Sequence, residues 1–271
     1  MKHYAIQNYV YSKAQINLPQ KYKSAAGRCK YAQKLSDTLQ KKIREIPEGK
    51  LTVEQYRNLL FSTITPAAPY IKIVPQEKKG NSVACVNLIQ EILDEKGKEY
   101  NAIYGYEIGL PIENGVITMP EFAVHEGRHL FDIMCNPKMF LNRLTHIEDE
   151  DFETVEPIIK GFLKEHFEPY SILGDLDFLF FKAKMLLAIK DLDTDLKLDV
   201  LQSLRTIMNS EINAYSDQEE FQHPAPINKE EWIGTSSYTL DAYKFSEKVS
   251  FVERLIARII KNERKQMSKQ A

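Results

Sequence analysis

The chain is poor in the residues that staple small scaffolds together. Among its 271 residues are only three cysteines, Cys29, Cys85 and Cys135, widely spaced and with no CxxC pair. That excludes a disulfide framework and a four-cysteine zinc site, and scattered thiols in odd number fit a reducing compartment. An excess of either charge is also missing: 36 Lys+Arg stand against 38 Asp+Glu, for a formal net charge of −2. Nothing in that balance asks for a polyanion, and no nucleic acid is expected as a partner. The basic stretch 28–44 and the tail KNERKQMSK come without an aromatic ladder or a GKT-type loop, and read as solvated faces.

Long hydrophobic runs are absent as well. The most apolar segment, Phe178 to Ile189, is shorter than a bilayer crossing and carries Lys182 and Lys184, so no membrane insertion is expected and the segment reads as a core helix. The opening MKHYAIQNYVYSK is too polar for the apolar centre of a secretory signal. The expected address is therefore cytoplasmic, or another cell into which a specialised secretion system delivers the protein without a signal peptide. Asp191-Leu-Asp193-Thr-Asp195 alternates acids like a calcium loop, yet lacks the glycine at loop position six and the glutamate at twelve. With 43% hydrophobic residues the chain can still bury one sizeable core or two smaller ones.

The punctuation of the chain suggests three stretches. Residues 1–66 read as a helical N-terminal segment, with a helix over Ser24 to Ile46 and a second one opened by the capping-box pair Thr52 and Gln55. Residues 67–136 read as an α+β subdomain: a short strand at Tyr70 to Val74, a helix over Ser82 to Lys96, then two β-rich runs. Those runs, Tyr100 to Leu110 and Gly115 to Met119, are joined through Pro111 and the turn signal Glu113-Asn114-Gly115, which predicts a hairpin. A helix from Pro120 follows, with a capping-box spacing at Thr118-Met119-Pro120-Glu121 and a stop at Asn136-Pro137. Residues 137–271 read as a helical C-terminal subdomain, with helices near 153–166, 171–190, 195–220 and 241–265.

The junction helix carries the chemistry. His125 and His129 are four residues apart, so one helical turn stacks both imidazoles on one face, within reach of a single tetrahedral metal. Glu126 adjoins the first of them, where a carboxylate can act as general base on a water that zinc acidifies. With 6 His and 25 Glu in the chain, chance would supply about 0.01 such HExxH matches. Asp132, three residues after His129, could orient one of the imidazoles.

These residues resemble the zincin metallopeptidases. A run of the form Asn101-Ala102 followed by Gly115-Val116-Ile117 and then His125 to His129 is similar to the zincin arrangement of strand and active-site helix, over about 30 residues. The resemblance implies that His125 and His129 bind Zn2+, that Glu126 is catalytic, and that an edge strand over the cleft pairs with a polypeptide substrate.

A third ligand is needed. Leu204, Ile207, Met208, Glu211 and Tyr215 fall on one helical stripe. Glu211 thus stands where an apolar residue belongs, and a carboxylate there needs a metal or a buried cation. Residues 211–215, ExxAY, also resemble the glutamate helix of the gluzincin subgroup, although 82 positions separate His129 from Glu211. Cys135 lies six residues after His129, at the metzincin third-ligand spacing, but Asp132 stands where that pattern needs a glycine turn. His146, Glu148 and Asp149 are further candidates. Tyr215, His223 and Tyr238 could each donate a hydrogen bond to an oxyanion.

The expectation is an α+β, predominantly helical zincin-like chain: a small sheet and hairpin over the HExxH helix, then an all-α C-terminal half. Its expected activity is zinc-dependent hydrolysis of peptide bonds, as an endopeptidase. The other reading is a non-catalytic helical protein-interaction module with a degenerate or accidental HExxH.

Overall fold

A computed structural model describes residues 8–11, 16–64, 70–76, 84–95, 98–136, 194–223, 250, 252–254 and 256–262. Helix α1, Ala25–Arg44, starts where the Ser24 hydroxyl accepts from Gly27 N–H at 3.1 Å. It buries Ala32, Leu35, Leu39 and Ile43 at helical spacing, and two polar residues, Ser36 and Gln40, on the same stripe. Helix α2, Val53–Ile64, opens with the expected reciprocal cap. Gln55 N–H donates to Thr52 Oγ1 at 3.1 Å and Thr52 N–H donates to Gln55 Oε1 at 2.9 Å.

Four strands form the main sheet: β1, Asn8–Tyr11; β2, Tyr70–Pro75; β3, Cys85–Glu95; and β4, Lys98–Leu110. Both β1 and β2 run parallel to β4 along the same side of it, β1 against Tyr100 to Ile103 and β2 against Gly105 to Leu110. On the other side β3 runs antiparallel, from Cys85 opposite Gly109 to Glu95 opposite Lys98, with a bulge between Ile89 and Gln90. The sheet is three strands wide with β4 in the middle.

Two expectations are corrected here. Residues 82–96 were expected to be helical, and 85–95 are strand. Val86, Ile89 and Ile92 are β-branched, and a short apolar run of this kind takes its form from the partner available, here the full length of β4. The hairpin also differs. Its arms are only β5, Ile112–Glu113, and β6, Val116–Ile117, closed by Asn114 at φ 49° and Gly115 at φ 78° as in a type I′ turn. The longer run before Pro111 belongs to β4, so Asn101 and Ala102 lie on an interior strand instead of an edge.

Helix α3, Pro120–Cys135, follows the hairpin with proline at its start. The Thr118 hydroxyl makes no cap to it, donating instead to the Pro111 carbonyl at 3.2 Å. Twelve of its sixteen residues are buried, the signature of a helix enclosed on every side. It packs on α1 and against β3 and β4. Helix α4 spans Thr194–Gln222.

Contacts divide the chain into two units, Met1–Pro137 with Asn213–Leu240, and Lys138–Ile212 with Asp241–Ala271. The first holds the sheet, the hairpin, α1 to α3 and the last turns of α4. In the second, the described residues are the earlier turns of α4 and helical residues between 250 and 262, where Val252 and Ile256 are buried. The helices expected near 153–166 and 171–190 lie outside the described residues.

Close approach to α3 is concentrated at Gly127. A β-carbon there would come within 2.6 Å of Leu39 Cδ2 and 3.2 Å of the Tyr56 hydroxyl, both on fully buried side chains. In an open helix Gly→Ala gains roughly 1 kcal/mol. Here the overpacking dominates, and Gly127→Ala is expected to lose about 1–3 kcal/mol. Urea unfolding of the two chains measures the sign.

Candidate metal centre

Two donors come from one face of α3. The Nε2 atoms of His125 and His129 lie 3.1 Å apart, with the rings edge to face at a centroid separation of 4.8 Å. Nitrogens this close either share a proton or aim both lone pairs at one cation. The third donor comes from α4. Ligand atoms of His125, His129 and Glu211 all lie within 4.8 Å of one another, with His125 buried and the other two partly exposed. Among the described residues no other group of His, Cys, Asp or Glu is assembled this way.

The donor set fits a divalent metal. Tetrahedral zinc with bonds near 2.05 Å spaces its donors about 3.3 Å apart. The two histidine nitrogens, 3.1 Å apart, are close to that spacing, and the Glu211 carboxylate lies within 4.8 Å of both. The stripe read from the sequence and the His-His-Glu group share Glu211. Met208 and Ala214 are buried on α4 and Glu211 is turned to the histidines.

Tyr215, one turn beyond Glu211, sets its ring against His125 at a centroid distance of 4.7 Å and 71°. Glu126 is 4% exposed. It lies near Tyr56, whose phenol is held well above its usual range first by burial and then by the Glu126 charge. Tyr56 in turn donates to the Ala123 carbonyl at 2.6 Å, bracing the first turns of α3 from the side of α2. Cys85, at the start of β3, is likewise pushed up, by burial first and then by Glu126. The charge of the candidate base is thus felt at both Tyr56 of α2 and Cys85 of β3.

Other sequence candidates fall elsewhere. Cys135 is buried, and burial followed by the Asp132 charge pushes its thiol up to about 12, leaving it protonated at neutral pH. It is not part of the His-His-Glu group. His223 is 53% exposed, with Nε2 3.8 Å from Glu219 Oε1. Twelve residues past Glu211, it stands about 18 Å farther along the helix axis. Tyr238, His146, Glu148 and Asp149 lie outside the described residues.

The sequence reading missed a buried ionic network beside the histidines. Arg128, wholly buried, donates from Nε to Asp132 Oδ2 at 3.1 Å and from Nη1 to Asp217 Oδ2 at 3.2 Å. Ser36 Oγ donates to the same Asp217 oxygen at 2.6 Å, and Gln33 Nε2 donates to Asp217 Oδ1 at 2.9 Å. Burial favours the neutral guanidine, but Asp132 and Asp217 outweigh it and hold the Arg128 pKa up. Asp132 is thus a buried partner of Arg128. The available signal was Ser36, a hydroxyl on the apolar stripe of α1.

Comparison of the chain with protein-family models, curated proteins and solved structures finds no match. The site must be judged by its geometry.

Metal titration tests that geometry. The chain is expected to take up one divalent ion, lost in a His125→Ala, His129→Ala double variant. Glu211→Ala is expected to weaken it at least tenfold, roughly 1.4 kcal/mol, and Cys135→Ser to leave it unchanged. Loss of metal in Cys135→Ser with retention in Glu211→Ala would reverse the assignment.

Proposed function

We propose that this chain is a zinc-dependent metallopeptidase of the zincin type, gluzincin-like in drawing its third ligand from a later helix. The observation that carries the reading is the convergence of His125, His129 and Glu211 beside a buried Glu126. Two histidines and a carboxylate alone also suit iron sites. What favours hydrolysis is the additional carboxylate next to His125, in a position to move protons.

Zinc held by these residues would supply Lewis acidity, polarising the scissile carbonyl and lowering the pKa of a water. Glu126 would take the proton from the attacking water and return it to the leaving amine. Its burial limits the positions its carboxylate can adopt. Tyr215 would give a hydrogen bond to the developing oxyanion, a role that its ring contact with His125 supports.

A polypeptide substrate would add to the sheet at β3. That strand pairs with β4 on one side and, among the described residues, with nothing on the other. It begins at Cys85, near Glu126. Backbone pairing along an edge holds a chain in extended form without needing its terminus, which favours endopeptidase action.

Glu126→Gln keeps the shape of the side chain and removes its basicity. Turnover of a fluorogenic peptide library by that variant is expected to fall by about 10²–10⁴-fold, with metal content and unfolding midpoint unchanged. Hydrolysis at the parental rate would remove Glu126 from the mechanism. A purified parent without metal would favour a non-catalytic interaction module.

A further inference from the structure

A ligand carried on a separate helix is only as well placed as that helix. Glu211 meets His125 and His129 while α4 keeps one roll and one slide relative to α3. A carboxylate about 5.5 Å from the helix axis moves about 1 Å for each 10° of roll. Metal coordination tolerates errors of roughly 0.2 Å. Something other than the metal ligands has to fix α4.

Asp217 lies six residues beyond Glu211, about 9 Å along the axis and roughly 120° around it. Contacts at two heights and two azimuths constrain slide and roll together, which a single contact does not. Three donors hold Asp217: Ser36 at 2.6 Å and Gln33 at 2.9 Å from α1, and Arg128 at 3.2 Å from α3. Arg128 immediately precedes His129, and its orientation is set within α3 by Asp132 at 3.1 Å. The guanidinium therefore refers α4 to the same helical turn that carries the histidines.

We infer that the buried Arg128–Asp217 ion pair, braced by Ser36 and Gln33, is a positioning device that sets α4 so that Glu211 and Tyr215 meet the histidines of α3. It deepens the zinc-site reading and rests on it. An ion pair of purely structural value would alter the stability of the chain without altering the metal site of the folded fraction.

The test uses the full chain, as parent, Asp217→Asn and Ser36→Ala. Zinc affinity is measured by competition with a chromophoric chelator. The imidazole resonances of His125, assigned by their loss in His125→Ala, are recorded without metal. In folded Asp217→Asn the affinity is expected to fall tenfold or more. The His125 resonances are expected to shift as its ring contact with Tyr215 changes. Ser36→Ala should move both in the same direction by less, and it carries the test if Asp217→Asn does not fold. Zinc affinity within twofold of the parent in the folded variant overturns the proposal. If the parent itself takes up no zinc, the zinc-site reading fails separately, and the metal-free His125 shift alone decides whether the ion pair positions α4.

Discussion

A guanidinium with no access to water has to be surrounded by acceptors, and Arg128 imposes that requirement on three helices at once. Its charge is met by Asp132 on its own helix and by Asp217 on α4. Asp217, now buried as well, needs further donors, which α1 supplies through Ser36 and Gln33. Removing one member leaves the rest as buried charge or unmet polar groups, far more costly than the pair is favourable. The net contribution of such a network to stability is modest, because desolvation offsets most of the attraction. Other packings of the same apolar faces would strand one of these groups.

That constraint explains why so polar a sequence as HEGRH can occupy the most enclosed helix of the first unit. α3 is buried around nearly its whole circumference, yet between His125 and Asp132 five of eight residues, His125, Glu126, Arg128, His129 and Asp132, are ionisable. Apolar positions Phe122, Leu130, Phe131 and Met134 hold the helix in the core. Gly127 lets Leu39 and Tyr56 approach closely. The polar residues then divide the work. Arg128 and Asp132 are neutralised within the network, while the histidines are turned to the face that α4 supplies with Glu211. Arg128 donates to Asp217, six residues beyond Glu211 on α4, so the network and the His-His-Glu group draw on different carboxylates of that helix.

How much of this was legible follows from the range of each signal. Ser24, the Thr52 and Gln55 pair, Asn114-Gly115 and Pro120 act within four residues, and each marks its element where the structure has one. The HExxH spacing and the stripe bearing Glu211 are properties of one helix, so both could be read without a partner. The outer strand could not. Cys85 to Glu95 has no local feature that excludes a helix, and its form is decided by β4, with which it pairs over its whole length. Nor could the interior position of Asn101 and Ala102, since that depends on β1, some ninety residues earlier in the chain. Thr118 shows the opposite failure. Its spacing suits a cap, but the Pro111 carbonyl competes for the hydroxyl across the hairpin.

The division between local and distant determinants is also a division of function. The two histidines are fixed by the pitch of one helix, which no change elsewhere can alter by much, and their nitrogens stand 3.1 Å apart. Glu211 depends on how α4 meets α3, and its donor atom lies within the looser 4.8 Å limit of the group. In the zinc site proposed above, two legs would be rigid and one adjustable, so affinity would be governed chiefly by the third. Changes in the contacts that hold α4, even those remote from the donors, would then act on that leg. The side chains nearest the metal would be insufficient to account for its binding, and the acceptors of Arg128 would belong to the same description.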